Sequence, residues 1–198
     1  DRAFPQNNSH LKIIDKIKKE GIGKKYDCVV GLSGGRDSSY TVHLLKEYNL
    51  RALVVHFNDG FGNPLAGENI KKIIDKTNFE LRSITSDWRE SKDIKISCLK
   101  ASVPDIEIGT DLGIATSLYS TASKENIKYI ITGTSFRTEG IAPLDWNYLD
   151  GKYLKSIHKI YGTTKLRKWK HDDAGFNLDL KEMLYYTIFK RIQMIPLL

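Results

Sequence analysis

The sequence predicts an α/β fold, a parallel sheet with helices on both faces. Three observations carry this expectation. Short apolar runs of strand length alternate with segments whose apolar residues recur every three to four positions. A glycine-rich turn, Gly31-Leu32-Ser33-Gly34-Gly35-Arg36-Asp37-Ser38-Ser39, joins the first such run to a helical pattern. Three of the apolar runs end in polar turns that contain glycine, at residues 31–39, 58–60 and 133–140. In such sheets ligands sit outside the C-terminal ends of the strands, near the point where strand order reverses. The three turns therefore belong to one site.

Each element follows from local pattern. Residues 1–10 lack periodicity and read as an extended lead-in. Leu11, Ile13, Ile14 and Ile17 mark a short amphipathic helix that Gly21-Ile22-Gly23 ends. Tyr26-Asp27-Cys28-Val29-Val30 is the first strand, and Tyr40, Leu44, Leu45 and Tyr48 place the helix after the turn, with Asn49 as its C-terminal cap. Residues 50–57 form the second strand, stopped by Asn58-Asp59-Gly60. Ile70, Ile73, Ile74 and Thr77 give a helix, residues 79–85 a third strand, and Ser86 or Asp87 caps a helix from Trp88. Ile114, Leu118 and Ala122 place a further helix, with Thr110 as its N-cap. Tyr129-Ile130-Ile131-Thr132 is the fourth strand. Leu154, Ile157 and Tyr161 mark a helix that Gly162 stops, and Leu180, Leu184, Ile188 and Ile192 a last one. The chain divides into a lead-in and short helix over 1–23, a central domain over 24–162, and a basic segment with a C-terminal helix over 163–198.

Bulk properties narrow the classes. The chain has 198 residues, enough for one domain with a full core. No apolar run reaches the roughly 18 residues a membrane helix needs, and no N-terminal apolar segment suggests secretion. Cys28 and Cys98 are the only cysteines, too few for a zinc set or a disulfide framework. A reducing cytoplasm is expected. The net charge of +7 favours anionic partners without choosing among them. Most of that charge is scattered, but Lys165-Leu166-Arg167-Lys168-Trp169-Lys170-His171 is denser and either meets a phosphate-bearing ligand or is plain surface. The chain lacks an initial methionine and stops at Ile195-Pro196-Leu197-Leu198, an apolar finish that suits a fragment.

The glycine turn has a chemistry of its own. Strand, glycine turn and helix present unpaired backbone N–H groups to an anion. Two glycines let the backbone approach a ligand closely, and Ser33, Ser38 and Ser39 add hydroxyls. No Gly-Lys-Ser/Thr follows, so this is not a Walker A loop.

Ser33-Gly34-Gly35-Arg36-Asp37-Ser38 resembles the Ser-Gly-Gly-x-Asp-Ser signature of the PP-loop ATP pyrophosphatases. The resemblance implies a Rossmann-like fold, of the adenine nucleotide alpha hydrolase type, that cleaves ATP between its α- and β-phosphates. Residues 26–35, 55–60, 99–105, 133–143 and 153–158 further resemble the N-acetyl sugar amidotransferases of surface-polysaccharide pathways, lipopolysaccharide O-antigen among them. Members of that family carry a cysteine-rich segment before this domain and a further region after it. The resemblance implies amidine formation. The acetamido oxygen of an N-acetylated nucleotide sugar attacks the α-phosphorus and releases pyrophosphate. Ammonia, delivered by a separate glutaminase subunit, then displaces AMP. A homodimer is the expected assembly, with no membrane partner.

Residue roles follow from that resemblance, each beside a plainer alternative. Gly31, Leu32, Ser33, Gly34, Gly35, Asp37, Ser38 and Ser39 would hold the ATP phosphates, the backbone of His56, Phe57 and Asn58 the adenine or ribose, and Gly133 and Thr134 the α-phosphate. Asp37 is an acid at an anion site, which Mg²⁺ bridging carboxylate and phosphates would explain; the alternative is a carboxylate favoured by the helix dipole. Arg137 and Glu139 would contact substrate or form a loop salt bridge. Among Asp105, Glu107 and Asp111, a carboxylate such as Asp105 would act as general base, unless the loop is merely solvated. Lys100 would stabilise charge on the adenylate. Two other functions stay open: a tRNA-modifying enzyme of thiolase or lysidine-synthase type, which the basic charge suits but the acidic 105–111 loop opposes, and a non-catalytic adenine-nucleotide binder.

Overall fold

The computed structural model describes residues 9–134, 149–168, 170–171 and 173–197. Five parallel strands form one sheet in the order β3-β2-β1-β4-β5. They are β1 (Cys28–Gly31), β2 (Ala52–Asn58), β3 (Glu80–Thr85), β4 (Tyr129–Thr132) and β5 (Gln193–Pro196). The chain steps outward from β1 through β2 to β3, then returns to the other side of β1 at β4. Strand order therefore reverses between β1 and β4, and a crevice opens above their C-terminal ends.

Alternation along the strands feeds two cores. Cys28 and Val30 of β1 and Ala52 and Val54 of β2 face one side. There they meet Ile14 and Ile17 of α1 (Ser9–Glu20), Val42 and Leu45 of α2 (Arg36–Glu47) and Ile70 of α3 (Pro64–Thr77). Val29, Leu53, Val55 and Ile130 face the other side. They pack with Ile94 of α4 (Trp88–Lys100), Leu112 and Leu118 of α5 (Ile108–Lys124), and Leu154 of α6 (Gly151–Tyr161). Helix ends fall where side chains can cap them. Asn63, Asp87 and Asp150 each accept backbone N–H bonds from the first turn of α3, α4 and α6. Asn49 and Asn78 take the left-handed conformation at the ends of α2 and α3, with φ of 55° and 56°.

Four expectations need correction. The chain is already helical at Ser9, inside the stretch expected to be extended. The second strand begins at Ala52 and runs on through Asn58, the residue expected to stop it. Thr110 does not cap α5: the helix begins at Ile108, and the Thr110 hydroxyl instead donates to Asp59 Oδ2 at 2.8 Å. The expected last helix is short. It runs as α7 over Leu180–Leu184 and widens into a π turn over Tyr185–Phe189. Arg191, at φ 54°, then turns the chain into β5. The spacing of Leu180, Leu184 and Ile188 misleads because those residues are exposed, while Tyr186 and Ile192 enter the core. Ile195 and Pro196 lie in the sheet, where Ile195 pairs with Ile131. No helix among the described residues is long and apolar enough to cross a membrane.

Candidate active site

The crevice is built around the turn between β1 and α2. Leu32 continues the strand register, its N–H donating to Val55 O at 2.9 Å. The chain then turns at Gly34, with φ +81°, and Gly35 returns to extended backbone before α2 starts. Gly34 is glycine for two reasons. Its φ disfavours a side chain, and a Cβ there would lie 2.3 Å from Ala66 O. Asn69 reaches across from α3 to bond Gly34 O at 3.1 Å, so the α3 start holds the turn in place.

Hydroxyls shape the hollow from within. Ser38 Oγ accepts from the Ser33 N–H at 3.2 Å and lies 3.0 Å from Ser33 Oγ. Ser39 sits in the first turn of α2, its N–H bonded to Gly35 O at 3.1 Å. The N-cap is Gly35, which offers no side chain to the first N–H groups of α2. Those donors and the positive end of the helix dipole remain available to an anion. Such a cradle can hold a phosphate.

The neighbouring strands close the site. His56 Nδ1 lies 2.9 Å from Leu32 O. A carbonyl can only accept, so Nδ1 carries the proton and the ring braces the turn. Phe57 points into the core, edge-on to Phe176 and against Gly113. Asn58 folds its side chain back on the Gly60 N–H at 2.9 Å, and its carbonyl accepts from Ser86 N at 3.0 Å. On the β4 side, a Cβ on Gly133 would lie 2.7 Å from Thr41 Oγ1 and 2.9 Å from Asp37 O. The end of β4 thus rests directly on the first turn of α2. Thr134 exchanges a hydrogen bond with Thr132 at 2.9 Å.

The structure therefore brings Gly31, Leu32, Ser33, Gly34, Gly35, Asp37, Ser38, Ser39, His56, Asn58, Gly133 and Thr134 to one end of the sheet. Phe57 contributes backbone there and its ring to the core. Asp37 makes an exposed ion pair with Arg36 at 3.0 Å, which contributes little to stability. Its carboxylate, in the first turn of α2, is the group that would hold Mg²⁺ at the cradle. Among the described residues no cluster of three His, Cys, Asp or Glu could hold a metal alone.

Lys100 and Asp105 are held by partners outside the 33–38 turn. Lys100 ends α4, about 18 Å of helix rise from Trp88, and its ammonium reaches Tyr161 O at 3.4 Å. Asp105 accepts from the Glu107 N–H at 2.8 Å, and Glu107 is held by Lys95 at 2.6 Å. Arg137 and Glu139 lie outside the described residues. Cys28 and Cys98 are both buried free thiols, and burial pushes each pKa up.

Pattern reading overlooked two polar groups. Asp59, buried beside the site, accepts from the Phe61 N–H at 3.0 Å and from Thr110, with Lys95 Nζ 3.5 Å away. Burial opposes its ionisation, yet these partners outweigh it and hold the carboxyl below its usual range. Asp93 of α4, also buried, binds His158 Nε2 at 2.6 Å, the Thr163 hydroxyl and N–H at 2.8 Å each, and the Thr164 N–H at 2.9 Å. One turn earlier, Glu90 accepts from the Arg167 N–H. Together they lay the start of the basic segment along α4. No sequence signal marks pairs so far apart in the chain. A separate cavity of about 440 Å³, lined in part by Lys46, Arg51 and Phe79, opens at the opposite end of the sheet.

No family model matches the chain, and no curated protein matches it. Solved structures do. An NH3-dependent NAD synthetase from Campylobacter jejuni aligns with a TM-score of 0.50 at 17% identity, over 76% of this chain and 71% of its own. An NMN synthetase from Francisella tularensis gives 0.49 at 17% identity, over 96% and 88%. A tRNA thiolase from Methanococcus maripaludis gives 0.48 at 14% identity, over 97% of this chain and 60% of its own. The first similarity, with the sheet order above, shows a Rossmann-like α/β fold.

Proposed function

We propose that the chain is an ATP-dependent amidotransferase that releases AMP and pyrophosphate. The observation that carries this reading is the turn at 33–38. It is a glycine-built cradle at the switch point, with the donors of α2 aimed outward and one carboxylate, Asp37, among them. Ser33, Gly34, Gly35, Ser38 and Ser39 hold the β- and γ-phosphates, and Gly133 and Thr134 flank the α-phosphate. Asp37 would hold Mg²⁺, which when bound neutralises charge on the departing pyrophosphate.

In the proposed reaction the acetamido oxygen of an N-acetylated sugar bonds to the α-phosphorus as the bond to the β-phosphate oxygen breaks. Ammonia from a glutaminase partner then adds at the imidate carbon and AMP leaves with its electron pair. The acceptor rests on the resemblance of residues 26–35, 55–60, 99–105, 133–143 and 153–158 to the sugar amidotransferases. A nucleic-acid acceptor is the second reading, favoured by the net charge of +7.

Acceptor dependence separates them. With ammonia present, pyrophosphate release is expected to rise with N-acetylated nucleotide sugars and to give a product lighter by one mass unit, as oxygen is exchanged for NH. Stimulation by tRNA instead would establish the second reading. In the same assay Asp37→Ala is expected to lose magnesium-dependent release while keeping its melting temperature, since only the exposed Arg36 pair is lost. Unchanged turnover would remove Asp37 from the mechanism.

A further inference from the structure

Beside the phosphate cradle, at the ends of β2 and β3, two aromatic rings stand half exposed, Phe61 at 46% and Trp88 at 47%. They are 4.7 Å apart between centroids and tilted by 41°. Both are held from behind. Gly60, at φ +88°, packs so closely under the indole that a Cβ would lie 2.5 Å from Trp88 Cε3. The Lys95 ammonium lies 4.6 Å from the Phe61 centroid and is itself tied to Asp59 and Glu107. Asp87 caps α4 through the Arg89 N–H at 2.8 Å and so fixes where Trp88 starts. Gly60 and Phe61 take up part of the indole, and the remainder is open to solvent.

We propose that Trp88, buttressed by Phe61, is the stacking platform for the adenine of ATP, an inference that rests on the function proposed above. Position selects the base as occupant. Trp88 lies three residues past the end of β3, and β3 is two strands from β1, about 10 Å across the sheet. That separation suits a nucleoside running across the end of β2 from an α-phosphate held at the cradle, where Gly133 abuts the first turn of α2. The Asn58 and Ser86 backbones are bonded to each other at 3.0 Å, so the path between cradle and ring is fixed. A flat π-system on a rigid indole gains stacking energy with little ordering cost.

Calorimetric titration of ATP and of inorganic pyrophosphate into the wild type, Trp88→Ala and Trp88→Phe tests this. Trp88→Ala is expected to weaken ATP about tenfold and leave pyrophosphate within about twofold, the loss typical of one stacked base. Trp88→Phe, which keeps a ring, stays within about threefold of the wild type for ATP. ATP affinity unchanged by Trp88→Ala overturns the platform, as does a parallel loss of pyrophosphate or a Phe variant as weak as Ala. A wild-type chain that binds no ATP instead overturns the function on which the platform rests.

Discussion

Gly34→Ala is expected to destabilise the protein by about 3 kcal/mol and to abolish measurable ATP binding, whereas Gly35→Ala leaves stability nearly unchanged. The two glycines are adjacent and differ in what surrounds them. Gly34 has a φ of +81°, and its Cβ would sit 2.3 Å from Ala66 O and 2.9 Å from Ala66 Cα. Those are backbone atoms of α3, which cannot swing aside like the end of a flexible side chain. Gly35 is extended, and its Cβ would meet only Ser33 Oγ at 3.4 Å, an ordinary contact. Any loss of ATP affinity in Gly35→Ala therefore reports the approach of phosphate to the backbone and not a damaged fold. Urea denaturation beside ATP titration reads both effects. A Gly34 variant of wild-type stability would show that α3 does not brace the turn.

Asp93→Ala is expected to cost about 3 kcal/mol, because buried His158, with Thr163 and Thr164, loses the buried carboxylate that all three share as acceptor. The effect extends beyond α4, since these bonds fix the C-terminal end of α6 and the start of the basic segment. The same network predicts a pH dependence. Burial by itself would raise the Asp93 pKa, but the Thr164 N–H, the Thr163 hydroxyl and N–H, and His158 outweigh it and lower it to about 2. A carboxyl depressed on folding stabilises the native state above its unfolded pKa, near 3.8, and that stability fades as pH falls towards about 2. The stability difference between wild type and Asp93→Asn should accordingly shrink between those values and be constant above them. A difference that stays constant down to pH 2, or a midpoint moved by less than about 1 kcal/mol in Asp93→Ala, would show that the network is incidental.

Much of this was legible in the sequence because the decisive features are local. Cys28–Gly31, the turn at 33–38 and the start of α2 lie within twenty residues and carry both hydrophobic period and turn chemistry. Asp87 and Asn49 are caps whose roles need only their immediate neighbours. What escaped the pattern depends on distance or on exposure. The Asp93 to Thr163 bond spans 70 residues, and the Asp59 to Thr110 bond that takes Thr110 away from capping spans 51. The spacing of Leu180, Leu184 and Ile188 satisfies a helical period, yet period alone cannot say which face meets the core. Phe61 and Trp88 gave no signal because an aromatic residue in sequence is presumed buried until its neighbours are known.

The fate of the ATP phosphates tests the central claim most directly. ATP labelled at the α-phosphate, incubated with magnesium, ammonia and an N-acetylated nucleotide sugar, is predicted to yield labelled AMP and unlabelled pyrophosphate in equal amounts. Labelled ADP with inorganic phosphate, or tight ATP binding without cleavage under every acceptor, would contradict a cradle built for cutting at the α-phosphate.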